Sequence, residues 1–171
     1  MALAKTIKCY STQKLYDEFL KFFDVRELVS EQVYETFKHY GEYYFLSRFD
    51  RRILETVLFI RKRKGKAITI NNWLWGGRFE QRGLRENVSD IVRRKTSQNQ
   101  AYLSAHPLSM GVDYDIEGET ASEHREWIKE VQNELPHPIR LERNLNGEPI
   151  TWVHLDVCAD PRNSTVYEFD V

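Results

Sequence analysis

The hydrophobic pattern changes period along the chain. Early apolar positions recur at helical spacing, and late ones mostly alternate. Leu15, Phe19 and Phe22 follow Ser11 at steps of three and four, which predicts a capped helix over 11–23. Ser30 ahead of Val33 and Phe37 predicts a second helix. Asp50 ahead of Ile53, Leu54, Val57, Leu58 and Ile60 predicts a third, over 50–64. Arg61-Lys62-Arg63-Lys64-Gly65-Lys66 closes that helix, with cations favoured by the dipole and glycine stopping the turn. The aromatic stretch Tyr40–Phe49 reads as core packing. Ala67–Trp73 reads as a strand, and residues 74–100, with Gly76, Gly77 and Gly83, as a long loop of the kind that carries function. Val112-Asp113-Tyr114-Asp115-Ile116-Glu117 alternates strictly, so Val112, Tyr114 and Ile116 share one face of a strand and Asp113, Asp115 and Glu117 the other. Thr120-Ala121-Ser122-Glu123 forms a capping box for a helix that carries His124, Ile128, Val131 and Leu135 on one face as far as Pro136. Ile139–Glu142, Pro149–Val157 and Thr165–Val171 read as strands, with a turn at Asn144–Gly147. Helices first and strands later give an α+β class, and no repeat or linker divides residues 1–171, so one domain is expected.

Charge and composition narrow the partners. In 171 residues, 25 Lys and Arg nearly balance 26 Asp and Glu, which argues against a dedicated nucleic-acid binder. Arg61–Lys66 and Arg93–Lys95 keep a weaker polyanion reading open. No run of about 18 apolar residues exists, so no membrane insertion is expected. The first eight residues lack the apolar block of a secretory signal, so synthesis in the cytoplasm is expected. Cys9 and Cys158 are too few and too far apart for a disulfide framework or a Cys-rich zinc site.

Five histidines remain: His39, His106, His124, His137 and His154. No H-E-x-x-H, P-loop or dinucleotide-binding glycine pattern is present. In the strand Ile150–Val157, alternation puts Trp152, His154 and Asp156 on one face and Thr151, Val153, Leu155 and Val157 on the other. Two antiparallel-capable strands therefore offer polar faces, one with Asp113 and one with His154, and His106 lies just before the first. Two imidazoles and a carboxylate suit a catalytic Zn²⁺ with its fourth position open. The competing reading is satisfied structural histidines. His39 and His137 read as surface or structural residues, and His124 as a packing residue. Asp115, on the face of Asp113, could orient a ligand. Trp73, Trp75 and Trp152 suit either the core or a groove.

The residues around these three sharpen the picture. Ser104-Ala105-His106-Pro107-Leu108-Ser109-Met110-Gly111-Val112-Asp113 resembles the S-x-H-x-x-G-x-A-x-D signature of the zinc D-Ala-D-Ala carboxypeptidases and related peptidoglycan endopeptidases. Trp152-Val153-His154-Leu155-Asp156-Val157 resembles their third-ligand strand, and Gly83-Leu84-Arg85 their G-Y-R element. The resemblance covers residues 24–171 and leaves 1–23 as an N-terminal helical extension. It implies a small antiparallel sheet flanked by helices, the fold shared with the hedgehog signalling domain. It implies Zn²⁺ held by His106, Asp113 and His154. Arg85 would bind a substrate carboxylate or stabilise the oxyanion, with Arg82 as its rival. Ser104 and Trp152 would be further substrate contacts. The implied substrate is a peptidoglycan stem or cross-link peptide. Phage-type members reach it after lysis-type release or as part of a virion.

Three positions depart from the family. Ser109 replaces a glycine and Gly111 an alanine, both small exchanges. Thr151 stands where the family commonly has a catalytic Glu or Asp, three residues before the last histidine. Asp156 is the first substitute, either as base or as the partner that orients a ligand. Glu142 and Glu148 are the other carboxylates nearby. Thr151 also motivates the alternative of a non-catalytic zinc-binding structural or cell-wall-binding module.

Overall fold

The computed structural model describes residues 11–160 and 162–171, so Cys9 and the leader reading of the first eight residues lie outside it. Six α-helices are present among the described residues: α1 (Thr12–Phe19), α2 (Glu31–Phe37), α3 (Glu42–Leu46), α4 (Arg51–Lys64), α5 (Asp90–Ser97) and α6 (Ala121–Glu130). None is long and apolar enough to cross a membrane. Side-chain caps start four of them: Ser11 accepts from the Lys14 amide, Ser30 from Val33, Asp50 from Arg52 and Thr120 from Glu123. Gly65, at φ 72°, ends α4 in the left-handed region.

Leu15 and Phe19 of α1 are fully buried in the same core as Ile53, Leu54, Val57 and Ile60 of α4. The basic run that closes α4 is a set of ion pairs. Lys62 meets Glu18, Arg63 meets Glu134, and Lys64 and Lys66 both meet Glu119. The Arg61 guanidinium lies over the Phe22 ring.

Several boundaries move. The first helix stops at Phe19, and Phe22 is left at the surface. In Tyr40–Phe49 only Phe45, Leu46 and Phe49 enter the core; Tyr40 is 61% exposed and stacks on Tyr44. The expected strand Ala67–Trp73 shortens to Ile68–Thr69, because Trp73–Trp75 forms a 3₁₀ turn. The loop expected over 74–100 contains α5, whose residues are all at least partly exposed, so no wide apolar stripe announced it. Helix α6 ends at Glu130, before Pro136.

The five strands are β1 (Ile68–Thr69), β2 (Gly111–Ile116), β3 (Ile139–Leu145), β4 (Glu148–Asp156) and β5 (Val166–Asp170), in the order β1-β2-β4-β3-β5. The sheet is mixed, which corrects the expectation of a purely antiparallel one. β3 and β4 form a hairpin through Asn146 and Gly147, both at positive φ (52° and 84°), as a two-residue turn matched to strand twist requires. β4 therefore ends beside the start of β3, with Arg140 opposite Asp156. The chain passes that end and lays β5 on the outer edge of β3, starting with Val166 opposite Ile139, so β5 runs parallel to β3.

One sheet face is apolar. Val112, Tyr114, Ile139, Leu141, Val153 and Leu155 are all buried, and α6 packs against β2 and β4. His124, on that helix, is a fully buried link: its Nε2 lies 3.1 Å from the Tyr114 hydroxyl and its Nδ1 3.1 Å from Glu119.

Candidate metal centre

The other sheet face is polar, and strand register organises it into two cross-strand rows. Asp113 of β2 stands opposite His154 of β4, which stands opposite Glu142 of β3, which stands opposite Phe169 of β5. In the next row Gly111 faces Asp156, Asp156 faces Arg140, and Arg140 faces Tyr167. Residues directly opposite share a face, with Cβ atoms about 4.5–5.5 Å apart. The alternation read from the sequence thus puts Asp113, His154 and Asp156 on one surface.

His106 reaches that surface from the loop before β2. The loop is pinned by its own backbone: Ser109 N donates to His106 O at 3.0 Å, Met110 N to Ala105 O at 2.9 Å and Asp50 N to Ser109 O at 3.0 Å. Both small-residue departures have physical consequences here. Gly111 lies so close to the loop that a Cβ would stand 2.7 Å from the Ala105 Cβ and 3.2 Å from that of Asp156, so even alanine is crowded. Ser109 has φ 57°, where a side chain is strained and glycine is not. Ser109→Gly is therefore expected to raise unfolding free energy by about 0.5–1 kcal/mol, less than the full strain because glycine also frees the unfolded chain. A urea titration reads this directly, and a lower midpoint would show that the serine side chain packs more than it strains.

Three ligand atoms converge. His154 Nδ1 lies 2.7 Å from Asp113 Oδ1, His106 Nε2 lies 3.2 Å from Asp113 Oδ1, and His106 Nε2 lies 3.2 Å from His154 Nδ1. Ligands about 2.0–2.1 Å from a tetrahedral ion stand about 3.3 Å from one another, so this triangle has the size of one face of such a site. All three residues are buried, and the group can hold a metal ion.

The atoms turned away from the triangle are each held. His106 Nδ1 donates to Gly83 O at 2.8 Å, which leaves the Nε2 lone pair open to a ligand. His154 Nε2 donates to Asp156 Oδ2 at 3.2 Å, which leaves Nδ1. Asp113 Oδ2 accepts from Arg85 at 2.8 Å, which leaves Oδ1. Burial works against charge on Asp113, but His106 and His154 beside it hold its carboxyl far below the usual range. Burial likewise opposes charge on His154, yet its bonds to Asp113 and Asp156 push it up to about 9. His106, with burial dominant, is pushed down.

The expected substrate groups are placed as follows. Arg85 donates to Gln81 O, the Tyr102 hydroxyl and Asp113, so it braces the Asp113 carboxylate. Arg82 pairs with Asp115 and lies over the Phe79 ring at 3.6 Å. Ser104 and Trp152 are partly buried, two residues from His106 and His154 respectively. Both Asp156 oxygens are engaged: Arg140 makes a two-point bridge at 2.8 and 2.9 Å, and the Cys158 amide adds a bond at 2.9 Å. Burial raises the Asp156 carboxyl, but His154 and Arg140 outweigh it and hold the group at about 2. Thr151 is exposed, on the strand face opposite to His154. Glu148 is six residues from His154, about 20 Å along an extended strand. Glu142 is half-buried, burial pushes its carboxyl up, and it makes no hydrogen bond or ion pair among the described residues.

Arg140, Tyr102 and the Gly83 carbonyl were not legible as site elements. The nearest signal was the alternation of Arg140 and Glu142 in β3, which is uninformative without its register. Buried Asn71 was also missed. It ties the 82–85 segment to the body, accepting from Arg82 N at 2.9 Å while donating to Val29 O at 3.0 Å. His137 pairs with Glu55, and exposed His39 lies against the Tyr40 ring.

Comparison of the chain with protein-family models, curated proteins and solved structures finds no match.

Proposed function

We propose that this chain is a zinc-dependent peptidase that hydrolyses a peptide bond in peptidoglycan stem or cross-link peptides, on a hedgehog-like metallopeptidase fold. The observation that carries the reading is the triangle of His106 Nε2, Asp113 Oδ1 and His154 Nδ1, with each opposite atom fixed by a separate partner. The motif resemblance supplies the substrate class and the phage-type setting, with action at the wall after lysis-type release or from a virion. A bound zinc would lower the pKa of water to near 7 and polarise a carbonyl. The chain's own residues prepare for this. Gly83 O and Asp156 set the two imidazole tautomers, and Arg85 aims the Asp113 carboxylate. Asp156, with every oxygen engaged, is an orienting residue in this reading.

Metal content and cleavage test the proposal together. One zinc per chain is expected, with release of peptides from purified peptidoglycan that a chelator stops and added Zn²⁺ restores. Zinc bound without cleavage of any wall type would favour a non-catalytic zinc-binding module, a reading that the exposed Thr151 supports. No zinc bound would end both.

A further inference from the structure

The row that carries Asp113 and His154 continues into β3. Glu142 stands opposite His154 in register, and the sheet puts both side chains on the polar face. Its carboxylate lies near enough to interact electrostatically with His154, Asp113, Arg85 and Asp156. Phe169, opposite Glu142 on β5, stands edge-on to the His154 ring at 6.1 Å and helps shelter this side.

The other carboxylates near the triangle are committed. Asp156 is clamped by Arg140, Cys158 N and His154. Asp115 is held by Arg82. A general base needs an oxygen lone pair that is free and faces the reacting water.

We propose that Glu142 is the general base and acid of this site, supplied by the neighbouring strand in place of the acidic residue the family carries at the position of Thr151. The proposal rests on the peptidase reading. As water oxygen bonds to the peptide carbonyl carbon, Glu142 takes one water proton. As the carbon–nitrogen bond breaks, Glu142 gives that proton to the leaving nitrogen. The products are a carboxylic acid and an amine, and Glu142 is a carboxylate again.

The test compares Glu142→Gln and Glu142→Ala with the wild-type chain, each loaded with Zn²⁺. Both variants are expected to keep one zinc per chain. Turnover of purified peptidoglycan fragments is expected to fall about 10²–10⁴-fold in kcat, with KM nearly unchanged. Formate, a small carboxylate, is expected to restore part of the activity of Glu142→Ala. Acetohydroxamate, which places a hydroxyl where water attacks, is expected to bind zinc-loaded Glu142→Gln about tenfold more weakly by calorimetry, having lost one charge-assisted hydrogen bond. Full turnover by Glu142→Gln would overturn the proposal and leave the peptidase reading standing. So would zinc loss from the variants, unchanged hydroxamate affinity, or failure of formate to rescue. A wild-type chain that binds no zinc or cleaves nothing overturns both.

Discussion

On the proposed function, His106→Ala is expected to abolish stoichiometric zinc binding and, with it, hydrolysis. The side chain supplies Nε2 to the triangle, and the two remaining ligand atoms, 2.7 Å apart, define an edge and not a face. Losing only a partner that orients a ligand typically costs about 10–100-fold in metal affinity, so losing a ligand should cost more. Folding should suffer less. The Gly83 carbonyl loses its imidazole partner, worth about 1–3 kcal/mol if no water replaces it. Calorimetric titration with Zn²⁺ and circular dichroism separate the two effects. His39→Ala is the control, because that ring is exposed and stands against Tyr40 away from the triangle. Stoichiometric zinc in His106→Ala would show that the ligand set is wrong.

Gly83→Ala should be nearly as damaging, although glycine touches no metal. A Cβ there would lie 2.1 Å from the Leu28 carbonyl oxygen and 2.7 Å from its carbon. Both are backbone atoms, and the same oxygen already accepts from Leu84 N at 2.9 Å, so neither strand of chain yields easily. The segment must lift away, and three site contacts ride on it. These are Gly83 O to His106, the Arg82 carbonyl that accepts from Asp113 N at 2.7 Å, and Arg85 to Asp113. The expected result is a loss of about 3 kcal/mol in stability, at the upper end of usual overpacking costs. Zinc affinity should drop about 10–100-fold, as for other losses of orienting contacts. Wild-type urea midpoint and affinity in this variant would refute the steric argument.

These two positions also show how unevenly the site could be read from sequence. His106, Asp113 and His154 were legible because their signals are local: two alternating strands and a short motif. Gly83 was visible as part of a motif, but the motif pointed to Arg85. That arginine, expected at the substrate, also bonds Asp113, because the 82–85 segment runs beside β2 and presents its guanidinium to the Asp113 Oδ2 atom. Asp156 likewise shared a strand face with His154 in the sequence, but its clamp is Arg140, which no spacing connects to it.

Local chemistry determined the caps at Ser11, Ser30, Asp50 and Thr120, the stop at Gly65, the Asn146–Gly147 turn and the polar faces of β2 and β4. Each depends on residues within a turn or a two-residue period, where hydrogen bonding and side-chain direction act over a few positions. Register was decided only by the tertiary structure. It set Glu142 against His154, Arg140 against Asp156 and β5 parallel to β3, because pairing depends on where distant segments meet in the shared core. A strand's own alternation says which face a side chain takes. Only its neighbour says what stands beside it.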